Sequence, residues 1–122
     1  MSHIPHDFQV ITDPLTATRV VLVPLAKGKG YAKIDEEDLL RLISDGYSPR
    51  WFLNDNGSLT EYVCLFHGTN NKKVARLVMN PSKGHVVRYA NGDRKDLRKS
   101  NLVLRTRLEL KKANLGSSAR HG

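Results

Sequence analysis

At 122 residues and 13.7 kDa, with 39% hydrophobic residues, the chain can bury one modest core and has no need of a second large domain. A mean hydropathy of -0.44 and the lack of any apolar run approaching about eighteen residues exclude a helical membrane span. The net charge of +8 is divided unevenly: residues 1–66 carry -3 and residues 67–122 carry +11, so the second half is the one suited to a polyanion.

In chain order, residues 1–18 contain Pro5 and Pro14 without sustained periodicity and predict an extended arm. Its first residues, Met1–His6, show no basic segment followed by an apolar stretch. Together with the lone Cys64, which has no partner in the chain, this predicts an intracellular, reducing location. Arg19–Pro24 is a β-branched run closed by a proline and predicts a strand; Tyr31–Ile34 predicts a second. Between them Lys27-Gly28-Lys29-Gly30 reads as a hairpin turn, because a phosphate-binding loop needs a further Gly-Lys-Ser/Thr that is missing. Asp35 followed by Glu36, Glu37 and Asp38 predicts a helix cap and a negatively charged first turn rather than a metal site. Leu39, Leu40, Leu42 and Ile43 supply the apolar face, and Gly46 the stop. Trp51–Leu53 and Glu61–Phe66 predict strands, with Cys64 as a buried structural thiol. The first half is thus expected to be a small sheet with one helix.

Asn71 followed by Val74, Leu77 and Val78 predicts a cap and an apolar helical stripe, stopped by Pro81. Gly84–Ala90 predicts a strand, Asn91–Ser100 a basic loop, Leu102–Leu104 a return strand, and Arg107–Leu115 a last helix ended by Gly116. The tail, residues 117–122, has little to pack.

The segment from Val86 to Thr106 resembles the HNH homing-endonuclease family common in bacteriophages. That family reads Val-Asp-His-Ile-Asn-Gly-Asp, two residues, Asp-Asn-Arg, two residues, Asn-Leu-Arg, two residues, Thr. Matches fall without a gap at Val87, Asn91, Gly92, Asp93, Asp96, Arg98, Asn101, Leu102 and Thr106. Further likeness lies upstream, in Val23-Pro24-Leu25-Ala26-Lys27-Gly28, in Asp35–Asp38, in Trp51 and in Arg76-Leu77-Val78-Met79-Asn80-Pro81, so that about residues 20–106 are covered.

The resemblance implies a ββα metal fold that cuts DNA with one divalent ion, a histidine general base and ligands from an aspartate and a distal asparagine. At those positions this sequence has Arg88 for the aspartate, Tyr89 for the histidine and Leu110 for the asparagine, and Ala75 stands for a family histidine before the helix. Arginine repels a divalent cation, tyrosine is a poor base at neutral pH, and leucine cannot ligate. His85 lies four residues before Tyr89, about 13 Å along an extended strand, too far to take over that position in register. The scaffold residues Asn91, Gly92, Asp93, Asp96 and Asn101 are retained, and Asn101 matches the asparagine thought to brace the loop. Around them stand Arg88, Arg94, Lys95, Arg98, Lys99, Arg105, Arg107, Lys111 and Lys112, the expected nucleic-acid contacts.

The sequence therefore predicts an α+β domain over residues 19–115, a small antiparallel sheet with one helix followed by a degenerate ββα motif, with a disordered tail from residue 116. It is expected to bind double-stranded DNA through backbone phosphates, without a catalytic residue, metal or other cofactor and without a membrane. Small antiparallel sheets like the amino-terminal part also read DNA in plant ethylene-response-type domains, which brings Arg50 and Trp51 into view. The rival readings are a divergent but active HNH endonuclease or nickase, and a phage protein that binds a host protein or an RNA-bound complex.

Overall fold

The computed structural model describes residues 4–55 and 61–106. Strands β1 (Gln9–Thr12), β2 (Arg19–Pro24) and β3 (Tyr31–Asp35) form an antiparallel sheet in that order. The β-branched run of β2 makes it the central strand, and Val20, Val21 and Val23 are all buried. The arm expected over residues 1–18 thus carries a strand of its own, paired along β2 from Gln9↔Leu22 to Thr12↔Arg19. The Lys27-Gly28-Lys29-Gly30 turn joins β2 to β3 through a short 3-10 segment in which Lys27 takes a left-handed φ of 61°, a conformation that disfavours a side chain.

Helix α1 (Glu36–Ser44) follows β3 directly and buries Asp38, Leu39 and Leu42. Gly46 ends it at φ 95°, with the Gly46 N–H donating to the Ile43 carbonyl and the Tyr47 N–H to the Leu42 carbonyl, the paired bonds of a Schellman stop. Asp35 occupies the cap position, yet its carboxylate makes no capping hydrogen bond. Oδ2 of Asp35 instead accepts the backbone N–H of Lys99 at 3.0 Å, a demand from a distant loop that the local sequence does not reveal.

The helix separates the first sheet from a second, so the single amino-terminal sheet expected from the sequence is two. Strands β4 (Phe52–Asp55), β5 (Glu61–His67) and β6 (Asn70–Lys73) form the second antiparallel sheet. Asn71, expected as a helix cap, lies within β6, paired with Phe66. Helix α2 (Val74–Met79) starts three residues later, because pairing with the open edge of β5 satisfies the backbone groups of Asn70–Lys73 before the apolar stripe begins. Asn80 closes α2 in the left-handed conformation ahead of Pro81, and the Arg41 guanidinium donates to the Leu77 and Val78 carbonyls at 2.9 and 3.0 Å, tying α1 to the end of α2.

A hairpin of β7 (His85–Tyr89) and β8 (Leu102–Thr106) follows α2, which completes the α+β class predicted by the sequence. One core joins the three sheets: Val21, Val23 and Ile34 from the first, Trp51, Val63 and Leu65 around the second, Val74 and Val78 from α2, and Leu97 and Leu102 from the hairpin region. Trp51 is buried, with its Nε1–H donated to the Ser48 carbonyl at 2.9 Å, so its ring belongs to the core and not to a DNA-reading face. Cys64 is buried as well; burial raises its thiol pKa, with Lys73 and a hydrogen bond from Asn54 opposing that rise. No helix among the described residues is long and apolar enough to cross a membrane.

Candidate nucleic-acid interface

The loop between β7 and β8 is built by short-range hydrogen bonds that its sequence encodes. Gly92 adopts φ 78°, and its N–H donates to the Tyr89 carbonyl. The Asn91 side chain accepts the Asp93 N–H at 2.8 Å, and the Asp93 side chain accepts the Lys95 N–H at 2.9 Å, two successive Asx turns. Asn101, almost fully buried, spans the loop: its Oδ1 accepts the Asn91 N–H at 3.0 Å and its Nδ2 donates to the Asp96 carbonyl at 3.0 Å.

The same loop is locked to the first sheet. The Lys33 N–H donates to the Lys95 carbonyl at 2.8 Å and the Leu97 N–H to the Lys33 carbonyl at 2.7 Å, a short parallel bridge that inserts Leu97 into the core. Arg98 is held from two sides. Its Nε and Nη2 donate to Oδ1 and Oδ2 of Asp96 at 2.8 and 2.7 Å, and its Nη1 donates to Asp13 Oδ2 at 2.8 Å. Burial disfavours the charged form of Asp96, but the side-chain and backbone hydrogen bonds and the charge of Arg98, with a further bond from Asn91, outweigh it and hold the carboxyl below its usual range.

These contacts sort the cations expected at the interface. Arg98 is committed to Asp96 and Asp13, Lys99 Nζ to the buried Asp38 at 3.0 Å, and Lys95 Nζ to the Lys29 carbonyl at 2.8 Å. Arg88 and Arg94, both exposed, meet at a 170 Å3 cleft lined also by Tyr62, Val87, Tyr89 and Gly92. Arg105 is exposed on β8; the register Val86↔Arg105 and Arg88↔Val103 makes it a diagonal neighbour of Arg88 on one hairpin face. Arg107, Lys111 and Lys112, like Leu110 and the last helix expected over Arg107–Leu115, lie outside the described residues.

The fold adds groups that lie outside the Val86–Thr106 segment. An adjoining 300 Å3 cleft shares Tyr62, Arg88 and Tyr89 and brings in Lys73 and Arg76, and a third hollow continues the groove past Lys72. Tyr62 sits at its centre, with Lys73 Nζ 4.1 Å and Arg94 Cζ 5.4 Å from its ring centroid and the Tyr89 ring 6.4 Å away. The basic count of the second half was the only sequence signal for Lys73, whereas Arg76 also opens the Arg76–Pro81 stretch that resembles the family.

Tyr89 stands at the loop end of β7, packed against the core. Its phenol pKa is pushed up to about 12, by burial first and by the neighbouring Tyr62 next, with Arg94 opposing. His85 lies at the other end of the strand, opposite Thr106, and its buried Nδ1 has no hydrogen-bond partner among the described residues. No three His, Cys, Asp or Glu side chains among the described residues gather as a metal-binding group.

No curated protein and no solved structure matches the chain. Residues 80–112, which run from the end of α2 through the hairpin and its loop, match the family described as HNH endonuclease.

Proposed function

We propose that the protein binds duplex DNA through the groove that runs from Arg94 and Arg88 past Tyr62 to Lys73 and Arg76, and that it does so without cutting the strand. The observation that carries this reading is the exposed guanidinium of Arg88 beside Tyr89, at the positions where the HNH pattern has its aspartate and histidine. A divalent cation does not fit this donor set. Arg88 presents positive charge where a carboxylate would ligate, the Asp96 carboxylate is taken by Arg98 and Asn91, and the Tyr89 phenol stays protonated at neutral pH.

The same groups suit a phosphate chain. Arginine offers planar, always-charged donors that pair with phosphate oxygens, and these four cations along one groove can follow a backbone without reading bases. The loop that carries Arg94 is pinned to β3 and α1 by backbone and carboxylate bonds, so its backbone is held in place before a ligand arrives. Two measurements test the reading. Supercoiled plasmid incubated with the protein and Mg2+ or Mn2+ should stay intact, and a labelled blunt duplex should bind with strong salt dependence. Nicking that disappears in Tyr89→Phe would establish the active-nuclease alternative instead.

A further inference from the structure

A second surface lies at the other end of the β4–β5–β6 sheet from Tyr62, and the proposed duplex groove does not include it. Phe52 on β4 and Phe66 on β5 stack at 4.6 Å between centroids with planes 25° apart, and Phe66 is 60% exposed. A mostly apolar hollow of 440 Å3 opens beside them, lined by Phe52, Leu53 and Phe66 and rimmed by Lys27, Lys29 and Arg50. Among the described residues its lining contains no acidic side chain, although Arg50 Nη1 lies 3.9 Å from Asp7 Oδ2 in an exposed pair, so Lys27 and Lys29 are the rim's unopposed charges. The Lys27-Gly28-Lys29-Gly30 turn thus delivers two lysines to an aromatic surface. The turn is fixed there by the Ala26 N–H donating to the Trp51 carbonyl and by the bridge of Leu25 to Trp51, with Lys27 held in its left-handed conformation.

We infer that the Phe52–Phe66 stack with its Lys27, Lys29 and Arg50 rim binds an unpaired, single-stranded segment of nucleic acid, a base stacking on Phe66 while the cations take the flanking phosphates. An exposed ring in water favours any flat apolar partner, and the three cations select an anionic one; a nucleotide has both properties in one unit. The spacing along the sheet agrees with such a chain. The register Phe52↔Cys64 and Asn54↔Tyr62 puts Tyr62 and Phe66 on the same face of β5, four residues apart, or about 13 Å, and Lys73, opposite Cys64, stands between them. A strand leaving the duplex groove at Tyr62 would meet Phe66 next. The site stands on its own observations and does not depend on the groove.

The test is fluorescence anisotropy with a labelled oligothymidylate, an otherwise identical abasic phosphate chain and a blunt duplex. Phe66→Ala should weaken oligothymidylate binding about fivefold or more, the loss of one base stack, while Phe66→Trp keeps or strengthens it. The abasic chain should bind more weakly than oligothymidylate and be indifferent to Phe66→Ala, and Lys27→Gln with Lys29→Gln should flatten the salt dependence for both. Blunt duplex binding should be unchanged by Phe66→Ala, so failure of the duplex groove and failure of this site are told apart. Equal oligothymidylate binding by Phe66→Ala and the parent overturns the inference. So does direct binding of labelled polyglutamate at least as tight as that of oligothymidylate and equally weakened by Phe66→Ala, which assigns the surface to an acidic peptide, or a self-association that Phe66→Ala abolishes, which assigns it to a second copy.

Discussion

Lys99 Nζ lies 3.0 Å from Oδ1 of Asp38, a carboxylate only 2% exposed, while the backbone N–H of the same lysine donates to Asp35 Oδ2 at 3.0 Å. One residue of the hairpin loop therefore occupies two acids at the start of α1, one through its side chain and one through its main chain. The other Asp38 oxygen has no partner among the described residues, so the carboxylate relies on Lys99.

Lys99→Met should destabilise the fold by roughly 1–3 kcal/mol, because it leaves a buried carboxylate without its cation. Urea denaturation reads this directly. Asp38→Asn in the Lys99→Met background should recover part of the loss, and DNA affinity measured well below the denaturation midpoint should change little.

Acid should act through Asp96. Its carboxyl is held below the usual range in the folded chain, so its contribution to stability is complete above about pH 4, the ordinary carboxylate value, and is lost as pH falls further through the folded value, where the unfolded chain takes up its proton first. Asp96→Asn should flatten the acid limb of the stability curve and lower stability at neutral pH by about 3 kcal/mol, since Arg98 loses its paired acceptor while Asp13 remains. An acid limb equally steep in Asp96→Asn would place the responsible carboxylate elsewhere.

Alkali should reveal Tyr89. With its phenol at about 12, it should ionise after ordinary tyrosines, and Tyr89→Phe should remove that late step from an ultraviolet titration of the chain's four tyrosines. Above about pH 10 stability should fall as pH rises, because the unfolded chain releases this proton before the folded one does.

Salt dependence should separate phosphate-binding cations from structural ones. Arg88→Gln with Arg94→Gln should make the log-log salt slope for a blunt duplex shallower by about 0.9 for each phosphate no longer neutralised, and should weaken unrelated sequences by similar factors. The exchange of Lys27 and Lys29 for Gln should alter blunt duplex binding less. The reverse order of effects would move the duplex interface to the amino-terminal turn.

Leu97→Ala should loosen the loop as a whole. The side chain is fully buried and is the apolar anchor between the two Lys33 backbone bonds and the core, so its truncation should reduce stability by about 2–5 kcal/mol. Hydrogen exchange at the Lys33 and Leu97 amides should accelerate with it.

The sequence by itself determined what depends on near neighbours. The β-branched run of β2, the acidic first turn and glycine stop of α1, and the Asn91-Gly92-Asp93 turn all follow from local sterics and short-range hydrogen bonds, so residue type and spacing suffice to read them. The HNH pattern was legible for the same reason: its loop is held mostly by its own side chains, in fixed order. Tertiary structure decided whatever depends on partners far along the chain. Asn71 became part of a strand because β5 had an edge to pair, Asp35 left its cap for Lys99, and Arg98 and Lys99 turned inward to acids brought from residues 13 and 38. A cation seen in sequence is only a charge. Whether it faces solvent or a buried carboxylate is set by packing, which is why Arg88 and Arg94 remain exposed while Arg98 became a structural tie, and why Tyr62, Lys73 and Arg76 emerged beside them only when the second sheet was in place.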